Sequence, residues 1–154
     1  MGVLLSQISI ALSGLVAGML LWSAIGGVPW MRRLSAADYV RLHQYWSPRF
    51  DPLAPIMVLG VLACDVALLF LAPTRASRYL LTFLVVALAA IVVISATRNA
   101  RLKRTVMRLD PDRLPQDWDE RDPRPAFGRW NLARTIIAIV VFLGNVEAMA
   151  VYTV

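Results

Sequence analysis

Charge is scarce in this chain: 17% of its 154 residues are Asp, Glu, Lys or Arg, against about 25% in an ordinary soluble domain. Histidine, lysine and cysteine occur once each, as His43, Lys103 and Cys64. Each shortage excludes a class. A lone cysteine cannot close an intramolecular disulfide, so a disulfide scaffold is ruled out. A lone histidine cannot supply two axial haem ligands or a His-rich metal centre. Low charge beside 58% hydrophobic residues excludes a disordered tail and argues against a soluble enzyme. The length suffices for one domain and leaves no room for tandem catalytic domains. The GxSxG, HExxH, P-loop and dinucleotide fingerprints are also missing.

What is abundant is uninterrupted apolar sequence. No charge precedes Arg32, and the first span is placed at about residues 3–28. The second, about 53–73, is interrupted only by Asp65; the third, 79–97, lies between Arg78 and Arg98. The fourth, 135–154, contains Glu147 as its only charge. Each is close to the ~20 apolar residues that cross about 30 Å of hydrocarbon. None shows the polar face of a soluble bundle helix, and continuous rather than alternating hydrophobicity opposes a β-barrel. The expected fold is an all-α integral membrane four-helix bundle forming a single domain over 1–154. The first span has no basic n-region and is longer than the apolar core of a signal peptide, so it is expected to be retained.

Basic residues set the expected orientation. Fourteen of sixteen lie in segments 29–52 and 98–134, while Arg75 and Arg78 occupy the short turn between spans two and three. The positive-inside rule makes both long segments cytoplasmic and both termini external. Fifteen arginines to one lysine suit a GC-rich bacterial genome, hence a bacterial cytoplasmic membrane. The formal charge of +6 then reads as an orientation label, and no nucleic-acid partner is expected. The lipid bilayer is the expected partner; oligomeric state is left open.

Both long segments carry pattern. Ser35 is a candidate N-cap for a helix from Ala36 to Trp46, ended by Pro48, with Val40, His43 and Ser47 on one face. Asp51-Pro52 reads as the start of the second span. Beyond the third span, Arg98, Arg101, Arg104 and Arg108 share a face opposite Leu102, Val106 and Leu109, so that helix continues as an amphipathic extension. Residues 110–125, rich in Asp and Pro, read as a polar connecting loop whose acidic run has no His or Cys among it.

Small residues supply the expected helix contacts: Gly14 and Gly18 with Ser13 and Ala17 in the first span, Gly60 in the second, Gly144 and Ala148 in the fourth. Ionisable groups inside a membrane are costly, which singles out Asp65 and Glu147. With Asn145, Gln7 and Ser9 in the same half of the bundle, they form an expected internal polar cluster. It could bind a small molecule, relay protons or fasten helices. His43 could act as a general base if its helix covers a cavity, or simply be hydrogen-bonded to backbone. No metal site and no cofactor are expected.

Several short motifs occur in a characteristic order. They are Gly14–Gly18 (GLVAG), Ala36–Gln44 (AADYVRLHQ), residues 51–55 (DPLAP), Thr97–Leu102 (TRNARL) and Trp130–Arg134 (WNLAR). In that order the chain resembles the anthrone oxygenase-like family of small four-helix membrane proteins. It departs from the family pattern in reading Thr97-Arg98-Asn99 where the family has Thr-Asn. The resemblance implies oxidation of an anthrone-type lipophilic aromatic by dioxygen without a dedicated cofactor. It casts His43 as the base and Arg134 with Asn131 as oxyanion donors. Trp130, Trp46 and Asn99 would contact the substrate. The alternative function is a non-catalytic membrane subunit or small-molecule carrier.

Overall fold

The computed structural model describes residues 1–50 and 52–153, with side chains as far as residue 150. Helix α1 (Gly2–Trp22) passes through a π-helical turn at Ser23–Gly27 into α2 (Val28–Met31). Helix α3 (Ala36–Phe50) follows, then α4 (Leu53–Leu71). Helix α5 (Arg75–Ile94) passes through a second π turn at Ser95–Asn99 into α6 (Ala100–Met107). A single turn, α7 (Trp118–Arg121), precedes α8 (Arg124–Thr153). Four of these helical units are long and apolar enough to cross a membrane, and the chain is an integral membrane protein.

Local chemistry explains the ends of the shortest span. Ala72 is extended, as the residue before a proline must be, and Pro73 cannot continue α4. Two residues on, Thr74 starts α5 with a capping box: its hydroxyl accepts from the Ser77 amide at 3.1 Å, and Ser77 Oγ accepts from the Thr74 amide at 3.2 Å. The tight turn makes α4 and α5 antiparallel neighbours. In the bundle α1 packs on α4 and α8, and α5 packs on the same two helices.

Only one stripe of each helix is inside. Val61, Leu81 and Leu84 are fully buried, while Phe70, Tyr79 and Val86 face outward at 83%, 74% and 62% exposure. That distribution suits a lipid solvent, which is as apolar as the core and gives the helices no hydrophobic reason to associate. Close approach does it instead. A Cβ on Gly60 would lie 2.9 Å from Leu12 Cδ1, and one on Gly14 would lie 3.1 Å from Phe142 Cε2. Gly18 is different: it is exposed, and a Cβ there meets nothing within 4 Å. The internal seam of α1 is therefore Ser13 with Ala17, both buried, rather than the whole glycine pair.

Three units are far longer than the bilayer requires. The first span runs 30 residues to Met31, and the third runs 33 to Met107. At 1.5 Å per residue these reach about 45–50 Å, so they project beyond ~30 Å of hydrocarbon. Helix α8 begins at Arg124, eleven residues before the uncharged stretch, since Pro125 falls in the first turn, where proline is tolerated, and the single Gly128 does not end the helix. Around these projecting ends the connecting segments form a cap. Tyr39, Val40, Val106 and Trp118 make its core.

Ser35 caps α3 as expected, its Oγ accepting from the Asp38 amide at 3.1 Å. The helix does not stop before Pro48, however, but continues to Phe50 with the proline inside. The cost is one i→i−4 bond, near a helix end where little else is lost. Residues 110–125 are docked rather than loose. Gln44 Nε2 donates to the Leu109 carbonyl at 2.8 Å, Arg41 pairs with Asp112, and Arg124 reaches the Leu34 carbonyl at 2.8 Å. The expected start of α4 at Asp51 lies outside the described residues; Pro52 stands at its N-cap.

Candidate functional site

Polar side chains inside the bundle gather at two levels. At the level next to the cap, α8 presents Asn131, Arg134 and Thr135 on one face, by their spacing of three and four residues. Arg134 Nη1 donates to Ser95 Oγ at 3.1 Å, and its Nη2 donates to Asn131 Oδ1 at 2.9 Å. The Asn99 carboxamide is assigned with its oxygen toward the guanidinium, since the opposite orientation would oppose donors to donors. It then accepts from Arg134 Nη2 at 2.5 Å and Nε at 3.3 Å.

The second π turn carries both Ser95 and Asn99. Within it the Ala100 amide reaches back five residues to the Ser95 carbonyl, which widens the helix. The first π turn also packs on α8, and Thr135 Oγ1 donates both to the Leu20 carbonyl just before that turn, at 3.1 Å, and to the Asn131 carbonyl, at 2.8 Å. Asn99 is 6% exposed, Thr135 2% and Asn131 1%. One group in this cluster is unsatisfied. Asn131 Nδ2 is buried without a hydrogen-bond partner, although its oxygen is engaged by Arg134. A buried donor left so costs about 1–3 kcal/mol.

His43 lies above this level, in the cap. Its Nδ1 is 3.1 Å from the Tyr39 carbonyl, which can only accept. Nδ1 therefore carries the proton, and in the neutral ring Nε2 holds the lone pair. The imidazole lies 4.3 Å from the Tyr39 ring and meets the Phe127 ring edge-on at 6.1 Å. Phe127 is one turn before Asn131 on α8, a rise of about 6 Å along the axis. Burial pushes the Tyr39 hydroxyl well above the ordinary phenol range.

Of the expected site residues, Asn99, Asn131 and Arg134 converge, while His43, on α3, packs on Phe127, one turn of α8 before Asn131. The two tryptophans are placed apart. Trp46 stacks on Trp22 at 6.1 Å and packs on Phe50 at 5.5 Å, while Trp130 lies under the Arg98 guanidinium at 5.1 Å. Ser95 and Thr135 also belong to this level, though only their helical spacing from Asn99 and Asn131 marks them in the sequence.

The second level holds Asp65, Asn145 and Ser9, joined across α4, α8 and α1. Two expected members are missing from it. Glu147 and Gln7 are exposed on the outer faces of α8 and α1. At 100° per residue, Glu147 is ~200° around the helix from Asn145, so both cannot face inward. Among the described residues no group of three or more His, Cys, Asp or Glu side chains converges as a metal site. No protein-family model, curated protein or solved structure matches the chain.

Proposed function

We propose that the chain is a membrane enzyme of oxygenase type, acting on a lipophilic aromatic whose ionised oxygen is held by Arg134 and Asn131. The observation that carries this reading is the unsatisfied Asn131 Nδ2 beside the Arg134 guanidinium. A donor and a cation together, withdrawn from water, form a seat for an oxygen acceptor bearing negative charge. The resemblance to the anthrone oxygenase-like family suggests which acceptor: an anthrone-type phenolate.

In this mechanism His43 Nε2 takes the phenolic proton, and the resulting anion passes electrons to dioxygen at the opposite ring carbon. A hydroperoxide forms there, and loss of water leaves the quinone, so one dioxygen yields one quinone and one water. The chain's own residues would supply a base, an oxyanion seat and, through Trp130 or Trp46, an aromatic surface. With the basic cap taken as cytoplasmic, in a bacterial cytoplasmic membrane, the seat opens toward the inner leaflet.

Purified protein should accelerate quinone formation from an anthrone under air. Replacing Asn131 with Leu should lower kcat/KM by about 10²–10³, the loss seen when one oxyanion donor is removed. Absence of any acceleration by the wild-type protein rejects the reading. A second reading, a non-catalytic subunit, draws on Glu147, whose exposed carboxyl within a span is costly against lipid and suits a neighbouring helix. Extraction in mild detergent separates the two: a monodisperse, partner-free chain carrying an aromatic ligand opposes the second.

A further inference from the structure

The oxyanion seat leaves Asp65 unexplained. Its side chain is wholly buried, at 0% exposure, in the middle of the bundle. Oδ1 accepts from Ser9 Oγ at 2.5 Å, and Oδ2 accepts from Asn145 Nδ2 at 3.4 Å, a long contact. Among the described residues no arginine or lysine pairs with it. An ionised carboxyl out of water needs a counter-charge as well as donors, because hydrogen bonds alone do not offset the desolvation of a full charge.

The surroundings are rich in oxygen and poor in donors. Asn145 is 2% exposed, and its Oδ1 is buried without a partner, on the same carboxamide that touches Asp65. Ser6 and Ser13 flank Ser9 by about one turn on the inner face of α1, each 2% exposed. Both spend their hydroxyl hydrogens on their own helix, on the Gly2 carbonyl at 3.0 Å and the Ile10 carbonyl at 3.2 Å. Their lone pairs remain available. A carboxylate, an orphaned amide oxygen and hydroxyl oxygens are the ligand types of a hard cation.

We propose that Asp65, Asn145 and Ser9 form a binding site for a dehydrated monovalent cation of sodium size, which supplies the counter-charge of Asp65. A rotation of the Asn145 carboxamide about its last bond turns Oδ1 toward the carboxylate, so that both oxygens face the ion. The charge count selects the valence. One carboxylate and one monovalent ion are neutral together, whereas a divalent ion would leave a net positive charge in the bundle. Access comes from the end opposite the cap. Ser9 and Asp65 lie seven and six residues from the helix ends at Gly2 and Leu71, about 9–10 Å along the axis. This site and the oxyanion seat are independent proposals.

The test compares thermal unfolding of the detergent-solubilised full chain in sodium, potassium and choline chloride at equal ionic strength. Saturating sodium is expected to raise the Tm by about 5–10 °C over choline, and the rise should saturate. Asp65→Asn removes the charge and should abolish the sodium response. Ser9→Ala is milder and should weaken sodium affinity about tenfold with the fold retained. Equilibrium dialysis of wild-type protein with radioactive sodium is expected to show one ion per chain, whatever the variants do. Equal Tm values in the three salts, or no sodium retained by the wild type, overturn the proposal. Stabilisation by acid in choline chloride without a sodium response also overturns it, because the counter-charge is then a proton.

Discussion

Gly144 and Gly18 undergo the same chemical change on replacement by alanine, yet their surroundings predict opposite signs. A Cβ at Gly144 would lie 2.5 Å from Leu84 Cδ2 and 3.4 Å from its Cγ and Cδ1. Carbon atoms attract at about 3.5–4.0 Å, so this overlap exceeds 1 Å. Leu84 cannot swing aside freely, since it is fully buried against Leu68, Leu81, Ala72 and Ala148. Overpacking of this kind costs about 1–3 kcal/mol, against roughly 1 kcal/mol that alanine gains over glycine in helix propensity. At Gly18 no atom lies within 4 Å, and only the propensity gain operates.

Gly144→Ala should therefore destabilise the bundle by up to about 2 kcal/mol, and Gly18→Ala should stabilise it by up to ~1 kcal/mol. Leu84→Ala alone leaves a cavity and costs about 2–5 kcal/mol. In the double variant the three clashing atoms are gone and the new methyl fills part of the cavity. It should be less destabilised than the two single changes together by about 1–3 kcal/mol. Equilibrium unfolding in detergent, followed by tryptophan fluorescence, measures all four proteins. Additive effects of Gly144→Ala and Leu84→Ala, or shifts of equal sign at Gly144 and Gly18, refute the assignment of the α5–α8 contact.

Thr135→Val keeps shape and removes the hydroxyl shared between the Leu20 and Asn131 carbonyls. It should cost about 0.5–1.5 kcal/mol in the same unfolding assay, with Thr135→Ser restoring most of it; a neutral valine variant would remove this tie from the account. In the cap, the Ser35 hydroxyl, donating at 2.7 Å, and then Arg41 hold the Asp38 carboxyl below its ordinary range. Its contribution to stability is accordingly present above the unfolded-state pKa of about 3.9 and is lost as pH falls through the lower folded value. Ser35→Ala should move the Asp38 titration, followed by NMR, back toward that ordinary value. An unchanged titration would show that the hydroxyl does not hold the carboxylate.

The four spans were legible because membrane insertion imposes length and polarity on every residue of a segment, so the signal is redundant. The helix ends were less so, since charge marks where a segment leaves the lipid and not where the helix stops. Hence α8 begins at Arg124 and α5–α6 runs to Met107. Pro48 was read as a terminator by its local cost, whereas the docking of Tyr39, Val40 and His43 keeps α3 folded through it. The placement of Asn131 and Arg134 followed helical periodicity on α8, whereas Asn99 stands in the π turn between α5 and α6, and π turns have no marker in spacing. Glu147 shows the reverse limit. Rarity of a carboxyl in a span signals significance, but only its angular distance from Asn145 tells which side it faces.

The two polar levels bear on what the bundle can do as a single chain. Arg134 and Asn145 are eleven residues apart on α8, about 16 Å along the axis. Between Ser13, about one turn nearer the cap than Ser9, and Thr135 the core side chains are Val16, Ala17 and Leu20 on α1, Val58 and Val61 on α4, Leu88 and Ile91 on α5, and Ala138 and Val141 on α8. None carries a polar atom beyond its backbone, and those backbone groups are taken up within the helices. An ion leaving Asp65 toward the cap would meet no ligand across this layer, at a cost set by its full desolvation. A proton would find no relay there either, because transfer needs donors and acceptors within about 3 Å. The layer thus works against passage through one bundle and in favour of two sites, each addressed from its own end. On the proposed oxygenase reading, a lipophilic substrate would enter sideways or under α3. There His43, buried in the cap, packs on the half-buried Phe127, one turn toward the cap from Asn131.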